Sequence, residues 1–392
     1  MRSAPRTYIY SGTQLANSFH AFTCSLMRSF FGLLVLLSFL GCDEDEQQQT
    51  PLPPEPALYF PPSDSDEWET TDASMLNWNT AELSSLIDFL DSSNTRAFII
   101  LKDGRIVVEE YFGSNTLGTA PFDKDSRWYW ASAGKTLTAA LAGIAQQEGV
   151  LDIEAPASNY LGTGWTSLSS DKEQLIRVRD QLSMTSGLEY LGTDNNCTLP
   201  SCLTYRTDAG QQWFYHNAPY LLIKEVIESA SGISYGNYTD QKIGSVIGLS
   251  GQWIQQGYHH VYWSTARDMA RFGLLMLNQG AWAQTEVLSD KAYFDQMTHP
   301  SQSLNPSYGY LWWLNGQSSI IPPGLSLSID APLSEYAPDD LYAGLGLNGQ
   351  FVEVIPSRQL VVIRMGEAPD ISPISMTFHN SLWERIKRVI GP

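Results

Sequence analysis

Basic residues are scarce in this chain. Its 392 residues hold 23 lysines and arginines against 42 aspartates and glutamates, a formal net charge of −19. Binding a phosphate backbone needs a basic surface, so nucleic acid is not expected as a partner. The acidic excess otherwise reads as a solvated surface and names no substrate. Histidine is also rare, six in all, and no His pair has metal-ligand spacing. His259 and His260 are adjacent, so on a strand or a helix they would point apart. No metal and no other cofactor is expected. There are no internal repeats. Long apolar runs are missing, apart from Phe30 to Leu40, which is too short to span comfortably as a mature transmembrane helix. What remains is globular: 43% hydrophobic, 17% charged and rich in aromatics, with length for a large core in one or two domains.

The apolar run has a basic start at Met27-Arg28 and ends at Gly41-Cys42. A small residue and then Cys after such a run resembles a bacterial lipoprotein signal. The resemblance implies a leader over 1–42, with Cys42 lipidated and the chain anchored to a bacterial membrane, facing the periplasm. Phe39 and Leu40 depart from the Leu and small residue that such signals prefer, and an ordinary cleaved signal or an uncleaved anchor is the alternative. Asp43 after Cys42 is a weak pointer to inner-membrane retention. Residues 1–26 lack signal-peptide character, so Met27 is the expected start. Residues 43–57 are acidic, Gln-rich and Pro-rich, and read as a flexible tether. Of four cysteines, Cys24 lies upstream and Cys42 goes to lipid. Export places Cys197 and Cys202 in an oxidising compartment, where a small loop disulfide is expected rather than a metal pair.

The domain is expected over 58–392. Leu83, Leu86, Ile87 and Leu90 mark a helix over Thr80 to Leu90, capped by Asn79 with Glu82 three residues on. Ala97 to Leu101 and Arg105 to Phe112 are two β-rich runs joined through Asp103-Gly104, a hairpin signal. Phe351 to Ile355 and Leu360 to Met365 form another strand pair, and Ser375 to Ile390 reads as a closing helix. Between them, Thr136 to Glu148, Tyr220 to Ala230 and Ala266 to Leu277 look helical. The expected fold is α+β: an antiparallel sheet flanked by helices, from about 58–130 and 300–392, with a mainly helical part inserted over about 131–299 and a cleft between.

The chemistry begins at Ser132-Ala133-Gly134-Lys135. A spacing of three puts Ser and Lys on one helix face. A hydroxyl needs a nearby base, and a Lys desolvated in a cleft can become one. A helix N-terminus also offers backbone N–H groups to an oxyanion. A second copy, Ser169-Ser170-Asp171-Lys172, fits the same pattern in a polar stretch, whereas Ser132 follows Trp128-Tyr129-Trp130-Ala131 and opens an apolar helix. Tyr215-His216-Asn217 adds a phenol whose pKa a cationic Lys would lower, and an amide for the Lys or a substrate carbonyl. Tyr235-Gly236-Asn237 repeats that pattern without an apolar setting. Gly232-Ile233-Ser234-Tyr235-Gly236 matches a nucleophile elbow, but the residues before it are helical rather than a strand.

In order, Ser132-Ala-Gly-Lys135, Leu182-Ser-Met-Thr-Ser-Gly-Leu188, Tyr215-His-Asn217 and Ser264-Thr-Ala-Arg-Asp-Met-Ala-Arg-Phe-Gly273 resemble the serine β-lactamase-related superfamily. More narrowly the chain is similar to the branch holding class C β-lactamases, D-amino-acid peptidases, family VIII-type esterases and 6-aminohexanoate-dimer hydrolases, from about residue 95 to the end. The resemblance implies an acyl-enzyme: Ser132 attacks, Lys135 and Tyr215 move protons, and water releases the acyl group. The family's Lys/His-Thr-Gly strand is missing. Its place is taken by Leu347-Asn348-Gly349, with Gly349 expected to keep the close backbone approach and the amide of Gln350 to be the second oxyanion donor. Loss of the basic residue removes the usual carboxylate anchor and resembles the 6-aminohexanoate-dimer hydrolase and esterase branch.

Softer candidates for the cleft are Glu189, Tyr190, Trp312 and Trp313. The expected function is hydrolysis of a small ester or amide outside the cytoplasm. The competing readings are a β-lactamase or D,D-peptidase, against which Leu347 weighs, and a catalytically silent ligand-binding protein, against which the retained Ser132, Lys135 and Tyr215 weigh.

Overall fold

The computed structural model describes residues 58–370 and 375–391. The leader, Cys24, Cys42 and the tether lie outside them. The first regular helix, α1 (Thr80–Ser92), starts where Asn79 accepts hydrogen bonds from the N–H groups of Ala81 and Glu82, and it buries Leu86 and Leu90. It feeds β1 (Thr95–Lys102), which turns through Asp103 and Gly104, both at positive φ, into β2 (Arg105–Tyr111). That turn geometry matches the twist of a two-residue hairpin.

The chain then leaves the sheet. It forms β3 (Trp128–Tyr129), β4 (Gln252–Gln256) and β5 (His259–Ser264), a small sheet in the order β3-β5-β4, among the helices of the inserted part. A short ribbon, β6 (Ala281–Trp282) with β7 (Thr285–Glu286), follows. The main sheet is completed by β8 (Trp313–Leu314), β9 (Tyr342–Gly346), β10 (Gln350–Ile355) and β11 (Leu360–Gly366). Its order is β2-β1-β11-β10-β9-β8, and every pairing is antiparallel.

Central strands of this sheet are covered on both faces, which is why β10 and β11 are buried at every residue instead of at alternate ones. Val352 and Val361 face Gly273 of the helix Ala266–Leu277. Glu353, the next residue of β10, points the other way. There it accepts from Trp383 at 3.0 Å and bonds His379 at 2.6 Å, both on the closing helix Met376–Ile390. The architecture is α+β, an antiparallel sheet with flanking helices and a mainly helical insertion.

Several elements differ from the sequence pattern, the small sheet β3-β5-β4 among them. The helix expected over 220–230 is two, Asn217–Leu221 and Ile223–Ser231. The strand β9 was not expected, because Tyr-Ala-Gly-Leu-Gly has two glycines and no β-branched residue.

Candidate active site

Ser132 sits in a tight 3-10 turn, Ala131–Gly134, that runs straight into α2 (Lys135–Gln147). The chain enters it from β3, which is anchored on β5. Ala131 takes a left-handed φ of 48°, a conformation costing about 1–2 kcal/mol for a residue with a Cβ. Buried Trp130 holds this bend. Its N–H donates to the Tyr262 carbonyl and its indole to Ser264 Oγ, both at 2.8 Å. The result turns Ser132 toward a cavity of about 950 Å³, lined also by Lys135, Tyr215, Asn217 and Tyr220.

Lys135 is the first residue of α2, and its Nζ lies 3.0 Å from Ser132 Oγ. It is only 3% exposed. Around it stand rings rather than carboxylates: Nζ is 4.3 Å from the ring centre of Tyr220 and 5.0 Å from that of Tyr215. Burial without a counter-charge pulls its pKa down to about 7. The second Ser-x-x-Lys copy has the opposite setting. Lys172 pairs with Asp208 at 2.6 Å near the surface, and that carboxylate raises its pKa. It remains a cation and does not line the cavity.

Tyr215 corrects an expectation. Burial pushes its phenol well above the ordinary value, and a hydrogen bond with Ser132 offsets this only in part. No lowering by Lys135 accompanies it. The Tyr215 ring is fixed by stacking on Trp313, centres 5.7 Å apart, and by the edge of Tyr308. Asn217 opens the next short helix. Its Nδ2 donates to Asn196 Oδ1 at 2.9 Å, and its Oδ1 is buried without a partner.

Asn195 and Asn196 also line the cavity, and the sequence pattern did not mark them. The Asn195 Nδ2 donates to the Tyr215 carbonyl at 3.3 Å, and its backbone carbonyl accepts from the Ala218 N–H at 2.9 Å. The signal beside them was the cysteine pair: Cys197 and Cys202 form a disulfide that closes this loop.

The opposite lip is the turn after β9, and here the expected register slides by three residues. The close approach to the nucleophile is made by Gly346. A Cβ there would meet the Trp130 carbonyl at 2.6 Å and the Ala133 N–H nitrogen at 3.0 Å. Leu347 and Asn348 then line the cavity, with Asn348 Nδ2 on the Tyr129 hydroxyl at 2.8 Å. Gly349 and Gln350 are placed elsewhere. The position of a Cβ on Gly349 is filled by the guanidinium of Arg364. The Gln350 side chain faces β11, donating to the Gly366 carbonyl at 2.6 Å and accepting from the Gly366 N–H at 3.0 Å. Neither lines the cavity, and the assignment of the second oxyanion donor to Gln350 is withdrawn.

Tyr190 and Trp312 are likewise outside it. Tyr190 stacks on Phe214 at 3.6 Å under the guanidinium of Arg206, which pairs with Glu189. Trp312 is core, packed on Phe272 and Tyr342. Trp313 serves as the support of Tyr215. Tyr235 is buried with its hydroxyl 2.7 Å from Thr138 Oγ1. Ser234 lies between two helices, which excludes an elbow. His259 and His260 do line the cavity, and burial lowers both their pKa values, His260 to about 3. Among the described residues there is no cluster that could hold a metal ion.

Comparison with known proteins gives a consistent result. The model of the family described as Beta-lactamase matches residues 92–369. The chain is 22% identical over 333 residues to the 6-aminohexanoate-dimer hydrolase of Paenarthrobacter ureafaciens, covering 74% of this chain and 76% of that protein. It is 23% identical over 310 residues to an uncharacterized protein of Alkalihalophilus pseudofirmus, covering 71% of this chain and 84% of that protein. Among solved structures, a penicillin-binding protein homolog from Caulobacter crescentus superposes with a TM-score of 0.59 at 14% identity, over 79% of this chain and 96% of that one.

Proposed function

Because the chain belongs to the Beta-lactamase family, we propose that it is a serine hydrolase that cleaves an ester or amide through an acyl-enzyme on Ser132. One observation carries the reading: Ser132 Oγ lies 3.0 Å from a buried lysine that has lost its reason to stay charged. Neutral Lys135 takes the hydroxyl proton as Oγ attacks the substrate carbonyl carbon. We assign the oxygen that becomes negative to the N–H groups of Ser132 and Leu347, two cavity-lining residues next to the contact that Gly346 makes with Trp130 and Ala133. The leaving group departs with a proton supplied through the neutral hydroxyl of Tyr215, which Lys135 then restores. Water repeats the attack on the ester, with the same groups moving protons in reverse, and Ser132 is freed.

The absence of a basic residue at Leu347, and equally at Gly344 two residues before the close approach, weighs against β-lactams and peptidoglycan peptides as substrates. Work outside the cytoplasm on a lipid anchor at Cys42 is part of the proposal, supported by the disulfide next to the site. The test is Ser132→Ala. Its hydrolysis of p-nitrophenyl esters should fall by a factor of about 10³ or more, as for other nucleophile deletions, and a fluorophosphonate adduct should map to Ser132 in the wild type only. Wild-type rates in the mutant would mean that Ser132 is not the nucleophile, and no adduct at all would favour a silent binding protein.

A further inference from the structure

We infer that the acyl part of the substrate is uncharged and apolar, and that the arch closed by Ile320 and Ile329 forms the lip over which it enters. The inference rests on the acyl-enzyme reading and names its substrate class.

The first observation is the charge of the cavity. Of the described residues that line it, Lys135 is the only lysine or arginine, and none is an aspartate or glutamate. Lys135 must be neutral to act as base, so it cannot also serve as a standing anchor for a carboxylate. A charged acyl group would lose its hydration here and gain no counter-ion.

The second is the wall. Val261, Trp263, Pro322, Pro323 and Met376 give an apolar wall beside the uncharged amides of Asn195, Asn196, Asn217, Gln256 and Asn348. Such a wall can hold an apolar group while neutral polar side chains orient the carbonyl at Ser132.

The third is the arch itself. Ile320 and Ile329 exchange both backbone hydrogen bonds, at 2.9 and 2.8 Å, and close the loop between them. Its base, Pro322-Pro323-Gly324, lines the cavity. Its continuation reads Leu-Ser-Leu-Ser-Ile, with Leu325, Leu327 and Ile329 exposed by 47, 75 and 45%. Leu347, on the cavity's other lip, is 45% exposed. Single exposed leucines are ordinary. Three within five residues, on an arch that is also the cavity wall, make an apolar surface continuous with a catalytic site.

The test uses the full chain with p-nitrophenyl acetate, butanoate, hexanoate and octanoate, and the p-nitrophenyl half-ester of succinic acid as a charged analogue. Each buried methylene is worth about three- to fourfold, so kcat/KM should rise at least about tenfold from acetate to hexanoate. The succinate half-ester should be cleaved at least about tenfold more slowly than butanoate. The double variant Leu325→Ser/Leu327→Ser, on an exposed loop, should keep the acetate rate and lose much of the hexanoate advantage. A flat chain-length profile, or equal cleavage of the charged ester, would overturn the substrate class. An unchanged hexanoate-to-acetate ratio in the double variant would remove the arch from it. Loss of all Ser132-dependent hydrolysis in the wild type would instead bring down the acyl-enzyme reading, and this inference with it.

Discussion

Lys135 shows how one residue couples activity to pH. Its native pKa near 7 lies below the 10.5 of an exposed lysine. The neutral amine is the base, so kcat/KM should fall about tenfold per pH unit below 7 and level off above it. Stability follows the same group with a defined sign. Below pH 7 both folded and unfolded chains hold the proton, and the fold carries a buried charge. Between 7 and 10.5 only the unfolded chain holds it, so this group's contribution to stability rises with pH across that window. Lys135→Met should abolish activity and flatten that part of the pH dependence of Tm. A mutant with the wild-type slope would mean that Lys135 is not the group responsible. The Ser-Lys pair was legible from sequence because helical spacing alone brings the two together. The behaviour of Tyr215 was not, because burial depends on Trp313 and Tyr308, about a hundred residues away.

At the scale of an element, the turn after β9 is held from behind. Gln350 Nε2 donates to the Leu347 carbonyl at 3.1 Å as well as to Gly366. Buried Arg364 donates to the carbonyls of Asn348 and Gly349 at 2.9 and 2.8 Å, and to that of Ser93 at 2.9 Å. These bonds hold the carbonyls of Leu347, Asn348 and Gly349, and so fix the turn that carries the proposed Leu347 N–H donor; Gln350 and Arg364 are positioning residues for it. Gln350→Leu should therefore lower kcat by about tenfold or more with little change in KM, since a displaced oxyanion donor is felt mainly in the transition state. A rise in KM alone would show that the turn contacts the substrate uniformly and that the positioning argument is wrong. The Gly-Gln pair drew attention in the sequence, yet its role was misplaced. Glycines at 344, 346 and 349 offer three candidates for one close approach, and only packing against Trp130 and Ala133 selects Gly346.

Across the whole molecule, the ends were easier to read than the middle. The hairpin, α1 and the closing helix carry local signals: Asp103-Gly104, the Asn79 cap, the Ser375 cap and clear periodicity. In the small sheet β3-β5-β4, β3 has two residues and lies far from β5 in sequence, while β4 and β5 form a hairpin through Gly257-Tyr258 whose polar, His-rich strands lack a clear apolar alternation. The closing helix is held by α1, where Phe378 stacks on Phe89, and by polar contacts. The Asn79 N–H donates to the Val389 carbonyl at 2.9 Å, and Glu353 of β10 meets His379 and Trp383 of the closing helix. Glu353→Ala would leave the Trp383 N–H and the His379 Nε2 without a partner in a dry interface, at a cost of about 1–3 kcal/mol for each group. Its unfolding midpoint should fall clearly in a denaturant titration, whereas Glu353→Gln, which keeps an acceptor, should recover much of the loss. The closing helix also carries Met376 to the cavity wall, so Glu353→Ala should weaken discrimination among acyl chains before it abolishes hydrolysis. Equal stability of the two variants would mean that packing alone, without this acceptor, holds the C-terminal helix on the sheet.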